Sequence, residues 1–263
     1  MCSNRAPWRA NPEKAFFDVN VEGTRSLLAA AGAAGASHFL LMSTVKAMGE
    51  QEKGVFDETL PPHPTDPYGR SKLAAEQVVF GLGKSLGIHA VALRLPMVYG
   101  PGAKGNVLRL LEAARGNRRL PFGCLGNRRS MVYVGNVVQA ALAALARPDS
   151  AGQAYLVCDQ NPYSTREVYL TICRAMGKPP LLRRVPVWLL RLMGLIGSAA
   201  GFLTRRKMPI DVGVVRRIAD DLCFSSDKIR TQLGFTPAVG LEEGIARMVE
   251  WYQQGCPPTP PAS

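Results

Sequence analysis

Along the first hundred residues the apolar positions change period in a regular way. Over 12–34 they recur at helical spacing through Phe16, Val19, Leu27 and Leu28, the end is Ala-rich, and Gly32 and Gly35 stop the helix. HFLLMS at 38–43 is a short apolar run, as in a strand covered on both faces. A polar, Pro-rich loop fills 49–66. The next helix is predicted from Pro67, a residue suited to a first helical turn, to about Leu86. HAVALRL at 89–95 is a second buried strand. Strands alternating with helical stretches predict an α/β fold on a parallel, doubly wound sheet.

Beyond residue 100 the pattern is less regular. Helices are expected at 105–115, 135–146, 165–176, 186–203, 212–221 and 241–254, the third opening on a capping box in which Glu167 follows Ser164 by three residues. There is no internal repeat, and the tail GCPPTPPAS (255–263) is expected to be disordered.

The 263 residues are 47% hydrophobic and 20% charged, which is enough to bury a core and excludes a disordered or fibrous chain. A net charge of +12 points to an anionic partner without naming one. None of the six cysteines (Cys2, Cys124, Cys158, Cys173, Cys223, Cys256) forms a C-x-x-C pair, and His38, His63 and His89 stand apart, so no zinc site is expected. Nor does the spacing suggest a disulfide scaffold, and reduced cysteines place the chain in a cytosol. The first residues, MCSNRAPWRANPEKAFF, lack the apolar core of a signal peptide.

The strongest chemical signal is Tyr68-Gly-Arg-Ser-Lys72. Residues four apart share a helix face, one turn from each other. A phenol with a pKa of about 10 is a poor base near neutrality. An ammonium one turn away favours the phenolate and lowers that pKa, so the pair suits proton transfer at an alcohol or ketone oxygen. Taken alone, the same spacing also fits an exposed Tyr beside a solvated Lys. Ser43 and Thr44 lie at the carboxyl end of the first strand, where parallel sheets take ligands; alternatively they satisfy loop backbone groups. Asn20 is an unusual mid-helix residue, consistent with a specific hydrogen bond.

Together these residues resemble the extended short-chain dehydrogenase/reductase family, in its NAD-dependent sugar-nucleotide epimerase/dehydratase branch. The matching elements run in order: N-V-x-G-T at 20–24, Ser43-Thr44 ahead of Gly49, Y-x-x-S-K at 68–72, L-R-x-x-x-V-Y-G-P at 93–101, RRSMVYVGNVVQA at 128–140 and LEEGIARMVEWY at 241–252. The resemblance implies a partial Rossmann-like sheet with a smaller mixed substrate-binding lobe. Residues 1–100 would be the remainder of the NAD(P)-binding domain and 101–254 mainly the substrate lobe, with segments returning to the core. It makes Tyr68 the acid/base and has Lys72 hold the nicotinamide ribose. Ser43 and Pro96 would lie beside the cofactor, NAD or NADP. Thr44 would bind the reacting oxygen and Asn20 would orient the proton relay or the helix behind it. Asn106 and Arg129 join Thr44 on the substrate side, where a bidentate guanidinium suits a diphosphate. The implied reaction is 4-keto reduction or 4-epimerisation of a UDP-sugar for polysaccharide synthesis. A homodimer is compatible with the resemblance, and no nucleic-acid partner is expected. A non-catalytic remnant binding a nucleotide sugar or a protein, and a 3β-hydroxysteroid dehydrogenase-like oxidoreductase, stand as alternatives.

One further segment stands apart. Between Arg174 and Arg217 lie ten Lys/Arg and one acid, a net of +9, around the nearly apolar VPVWLLRLMGLIGSAAGFL at 185–203. Arg191 near a bilayer centre would cost about 2.5–3.5 kcal/mol, which argues against spanning. Two readings stay open: a helix packed on the substrate lobe, or an interfacial helix at an anionic membrane, with Trp188 and leucines among the headgroups.

Two positions depart from the family pattern. Met97 stands where the 4-epimerases carry an Asn, and a thioether is a weak hydrogen-bond partner; the surrounding stretch instead looks like a subgroup that includes reductases of UDP-4-keto-6-deoxy-N-acetylhexosamines. Nor does the sequence hold the family's Gly-x-x-Gly-x-x-Gly turn, which sets the cofactor pyrophosphate on a helix N-terminus. The resemblance implies that roughly 70–80 residues of the usual nucleotide-binding half are missing, either cut from the gene model or lost. The 263 residues on their own are therefore expected to bind NAD(P) poorly. Titration with NADH should show no saturable binding in the micromolar range; tight binding would mean that another loop takes the pyrophosphate.

Overall fold

The chain opens as an interrupted helix. α1 (Pro12–Phe17) runs through a π-turn at Asp18–Glu22 into α2 (Gly23–Ala33). The pattern predicts one uninterrupted helix here. The difference is one residue of extra winding, in which the amide of Gly23 donates to the carbonyl of Asp18 five residues back, and the widened turn buries Asn20 and Val21. Gly35, at φ +78°, ends the connection to β1 (His38–Thr44). A 3-10 turn (Val45–Ala47) and the short β2 (Val55–Phe56) lead to α3 (Pro67–Ser85), whose N-cap Asp66 accepts from the Gly69 amide at 2.7 Å. Then follow β3 (His89–Leu95), β4 (Met97–Tyr99), α4 (Asn106–Arg115), β5 (Met131–Tyr133), α5 (Val134–Ala146) and β6 (Ala154–Leu156). The remainder is α6 (Thr165–Ala175), α7 (Val187–Thr204), α8 (Val212–Ala219), β7 (Cys223–Phe224), α9 (Asp227–Leu233) and α10 (Leu241–Gln253). This computed structural model describes residues 12–49, 54–121, 124–204 and 212–255; the expectations for the extreme N-terminus and for the tail from 256 lie outside them.

The main sheet has the order β1-β3-β6, and both pairings are parallel. Its register sets His38 against His89 and runs to Thr44 against Leu95, so Ser43 lies directly opposite Arg94. The fold is α/β with a parallel sheet, as the alternation of apolar runs predicts. The capping box at Ser164 and Glu167 forms at the start of α6. Pattern alone misses α9 and the two-stranded pair β4-β5. Both are short, and a run of three residues is too brief to show a period.

Two compact units divide the chain: Met1–Met97 with Gly135–Gln160 and Phe224–Ala238, and Val98–Val134 with Asn161–Cys223 and Val239–Ser263. In the first, Leu28 from α2, Leu41 from β1, Ala75 and Val79 from α3, and Ile88, Ala90 and Ala92 from the β3 side close one core. In the second, the rings of Tyr99 and Tyr133 meet at 5.8 Å across β4 and β5. There α7 and α8 close a smaller cluster around Leu125, Leu190 and Val215. Leu28 has no exposed surface. Leu28→Ala should therefore cost about 2–5 kcal/mol, the range for a core leucine that leaves a cavity, measured by urea unfolding.

Candidate active site

One face of α3 carries Tyr68, Lys72 and Glu76 at intervals of four residues, one helical turn each. Tyr68, in the first turn, is half-buried, and its ring meets the edge of Phe16 at 5.6 Å. Lys72 Nζ donates to the carbonyl oxygen of Met42 at 2.7 Å, which fixes the ammonium near the carboxyl end of β1. Glu76, a turn further, is 1% exposed.

Glu76 is the anchor of this face. Arg94 reaches it from β3 with Nη2 to Oε2 at 2.7 Å and Nε to both carboxylate oxygens at 3.2 Å. Ser43 Oγ donates to the same carboxylate from β1. A carboxylate and a guanidinium this deep survive only when paired and hydrogen-bonded, and here both conditions are met. The hydroxyl of Ser43 thus ties β1 to α3.

Thr44 follows Ser43 and opens outward into the 3-10 turn. Its Oγ1 accepts from the amide of Lys46 at 3.3 Å, and a hydroxyl that accepts still has its own proton to donate. Two glycines let this turn come close. A Cβ on Gly69 would lie 2.4 Å from the carbonyl oxygen of Lys46, so the turn presses on α3 where it carries Tyr68. Gly49 has φ +98°, and a Cβ there would lie 2.2 Å from the carbonyl of His63. Lys46 also pairs with Asp66, the residue that caps α3.

Asn20 lies behind the helix. Its Nδ2 donates to Ser71 Oγ at 2.9 Å, and Ser71 Oγ donates to the carbonyl oxygen of Tyr68 at 2.8 Å. The π-turn supplies this buried amide, and the chain of bonds ends on the backbone of Tyr68 rather than on its hydroxyl.

The remaining candidates are spread more widely. Pro96 follows β3 in the first unit and is partly exposed. Asn106 and Arg129 belong to the second unit. Asn106 is exposed at the start of α4, behind Gly105. The backbone of Arg129 bridges to Tyr163, and its Nη1 donates to the carbonyl of Asp220 at 3.2 Å.

Sequence reasoning misses Glu76 and Arg94, although both leave a trace. An Arg inside HAVALRL and a Glu inside LAAEQVVF are charges on otherwise apolar faces, and each demands a buried partner. It also misses Glu58. Burial pushes that carboxyl above its ordinary value, against the amide of Leu156, which donates to it at 2.7 Å. Burial likewise pushes the Lys228 ammonium down, with Glu58 pulling the other way.

A phenol, an ammonium and a threonine hydroxyl at the carboxyl end of a parallel strand can bind a diol and move a proton at a carbonyl or alcohol oxygen. That donor set fits the ribose of a nicotinamide nucleotide, with Tyr68 and Lys72 as its partners.

Comparison with known proteins gives the family. The model of the NAD dependent epimerase/dehydratase family matches residues 3–158. The UDP-glucose 4-epimerase of Vibrio cholerae is 30% identical over 249 residues, 93% of this chain and 72% of that protein. The N-acetyl-alpha-D-glucosaminyl-diphospho-ditrans,octacis-undecaprenol 4-epimerase of Escherichia coli O157:H7 is 26% identical, over 92% of this chain and 73% of its own. Among solved structures, the UDP-glucuronic acid 4-epimerase of Bacillus cereus in complex with NAD superposes with a TM-score of 0.71 at 20% identity, over 94% of this chain and 72% of that one, a likeness of fold.

Breaking the buried pair should be costly. Glu76→Ala leaves Arg94 uncompensated and should lose about 3–5 kcal/mol in urea unfolding, whereas Glu76→Leu combined with Arg94→Met should recover most of it. A single variant as stable as the parent would show that the pair does not hold the helix.

Proposed function

The chain belongs to the NAD-dependent epimerase/dehydratase family, and from that membership we propose an NAD(P)-dependent oxidoreductase/epimerase acting at C4 of a UDP-sugar. The step is 4-keto reduction or 4-epimerisation, in the making of polysaccharide precursors. The observation that carries the proposal is the placement of Tyr68 and Lys72 on successive turns of α3, with the Thr44 turn pressed against Gly69 between them. The Vibrio cholerae relative supports the choice of a UDP-sugar and of C4.

When bound, the cofactor supplies hydride exchange at the sugar C4. The chain's own residues handle the oxygen. Tyr68 Oη takes the proton from the C4 hydroxyl as that carbon becomes a ketone, and returns one when the ketone is reduced. Lys72 holds positive charge one turn away, which favours the phenolate, and donates to the ribose. Thr44 donates its hydroxyl proton to the same C4 oxygen. Asn20 acts through Ser71 on the Tyr68 backbone and so sets the helix rather than the proton. Ser43 holds the end of β1 from inside, and Pro96 lies toward the cofactor. Asn106 and Arg129 take the substrate, the guanidinium of Arg129 on its diphosphate.

The test is a rate ratio, because weak cofactor affinity scales parent and variant alike. With NAD and a UDP-hexose supplied in excess, Tyr68→Phe should turn over about 10²–10⁴-fold more slowly than the parent, the usual worth of a general acid/base. The fold should hardly change, since the ring remains. Lys72→Met should lower both rate and cofactor affinity. Equal rates for parent and Tyr68→Phe would remove Tyr68 from the chemistry. No turnover of any UDP-sugar by a parent that is loaded with NAD(P) would overturn the proposed reaction.

A further inference from the structure

The helix α7 has two faces of opposite habit. Leu190, Gly194 and Gly197 are buried, and Leu190 packs with Leu125 and with Val215 of α8. The other side is apolar and open. Trp188 is 67% exposed, Leu195 60% and Ile196 61%, with Leu192 and Met193 beside them, five large apolar side chains within nine residues. Trp188, Leu192 and Leu195 recur at the spacing that forms a stripe along one helix face. The other exposed large apolar residues, such as Val55, Leu86 and Leu142, lie apart from this helix in sequence and belong to other elements. A concentrated patch of this kind marks an interaction surface.

The charges around the stripe indicate its partner. Arg183 and Arg184 are exposed just before the helix, and Arg191 stands exposed in its middle beside Asp220, 3.2 Å away. Arg205, Arg206 and Lys207 follow it in sequence. Apolar side chains with a tryptophan at one end and arginines on the flanks match an interface where acyl chains meet anionic headgroups. A second copy of the chain fits less well, because a two-fold pairing of this face would set its arginines against one another. Among the described residues no helix is long and apolar enough to cross a membrane.

We propose that the outer face of α7 docks on the surface of an anionic lipid bilayer, with the helix lying in the interface plane. The site is independent of the acid/base residues. Co-sedimentation of the full chain with vesicles tests it, comparing pure phosphatidylcholine with phosphatidylcholine containing about one-third phosphatidylglycerol, at low and high salt. Pelleting should require the anionic lipid and weaken with salt. Trp188→Ala with Leu195→Ala should weaken it about tenfold or more, as the loss of two buried apolar side chains dictates. Arg183→Glu with Arg184→Glu should weaken it through charge alone. All four side chains are exposed, so thermal melts should match the parent. Equal pelleting on neutral vesicles, none on anionic ones at low salt, or indifference to either pair of substitutions overturns the proposal. So does a lipid-free dimer, seen by sedimentation velocity, that dissociates on Trp188→Ala with Leu195→Ala, since it would give the face to a second copy.

Discussion

A carboxylate buried where one helix meets two strands fixes the rest of the site. Glu76 cannot rest in that interior unless Arg94 and Ser43 both reach it, and these two are register partners on adjacent parallel strands. Together the two contacts hold the axial position and the rotation of α3. Once they are set, helical geometry sets the rest: Lys72 lies one turn toward the N-terminus and Tyr68 two turns, on the face that meets the end of β1. The acid/base pair is thus placed by a polar contact that itself takes no part in the proposed chemistry.

A helix held that closely needs backbone that yields elsewhere. Gly69 lets the Thr44 turn approach to a distance that no side chain would tolerate, and the π-turn carries Asn20 inside the fold to reach Ser71. Each is a local departure from regular structure beside the functional residues, where departures from local preference are expected to gather. The ion pair, the glycine and the π-turn fix the same helix from three sides, through its middle, its first turn and the carbonyl of Tyr68.

The fold was legible because buried parallel strands are written as apolar runs, and HFLLMS and HAVALRL are such runs. Tyr68 and Lys72 were legible because a four-residue spacing on a helix is a geometric statement by itself. The role of Ser43 was not. Its hydroxyl is held by Glu76, thirty-three residues away in sequence. The π-turn was hidden for a related reason: the apolar spacing over 12–34 suits a plain helix, and the extra residue is accommodated by a tertiary bond from Asn20 to α3. Long-range pairing, rather than local pattern, decided each case.

The acid/base set is also indifferent to the choice of sugar. A phenol beside an ammonium moves a proton at any suitably placed oxygen, so reduction and epimerisation use it in the same way. They differ in whether a ketone formed at C4 turns to take hydride back on its other face or a ketone bound as substrate is reduced once and let go, and in how the rest of the substrate is held meanwhile. Under the proposal those tasks are assigned to Asn106 and Arg129, which belong to the other unit of the chain. The proton chemistry proposed here is thus a property of α3, and it leaves the choice of sugar to side chains outside that helix.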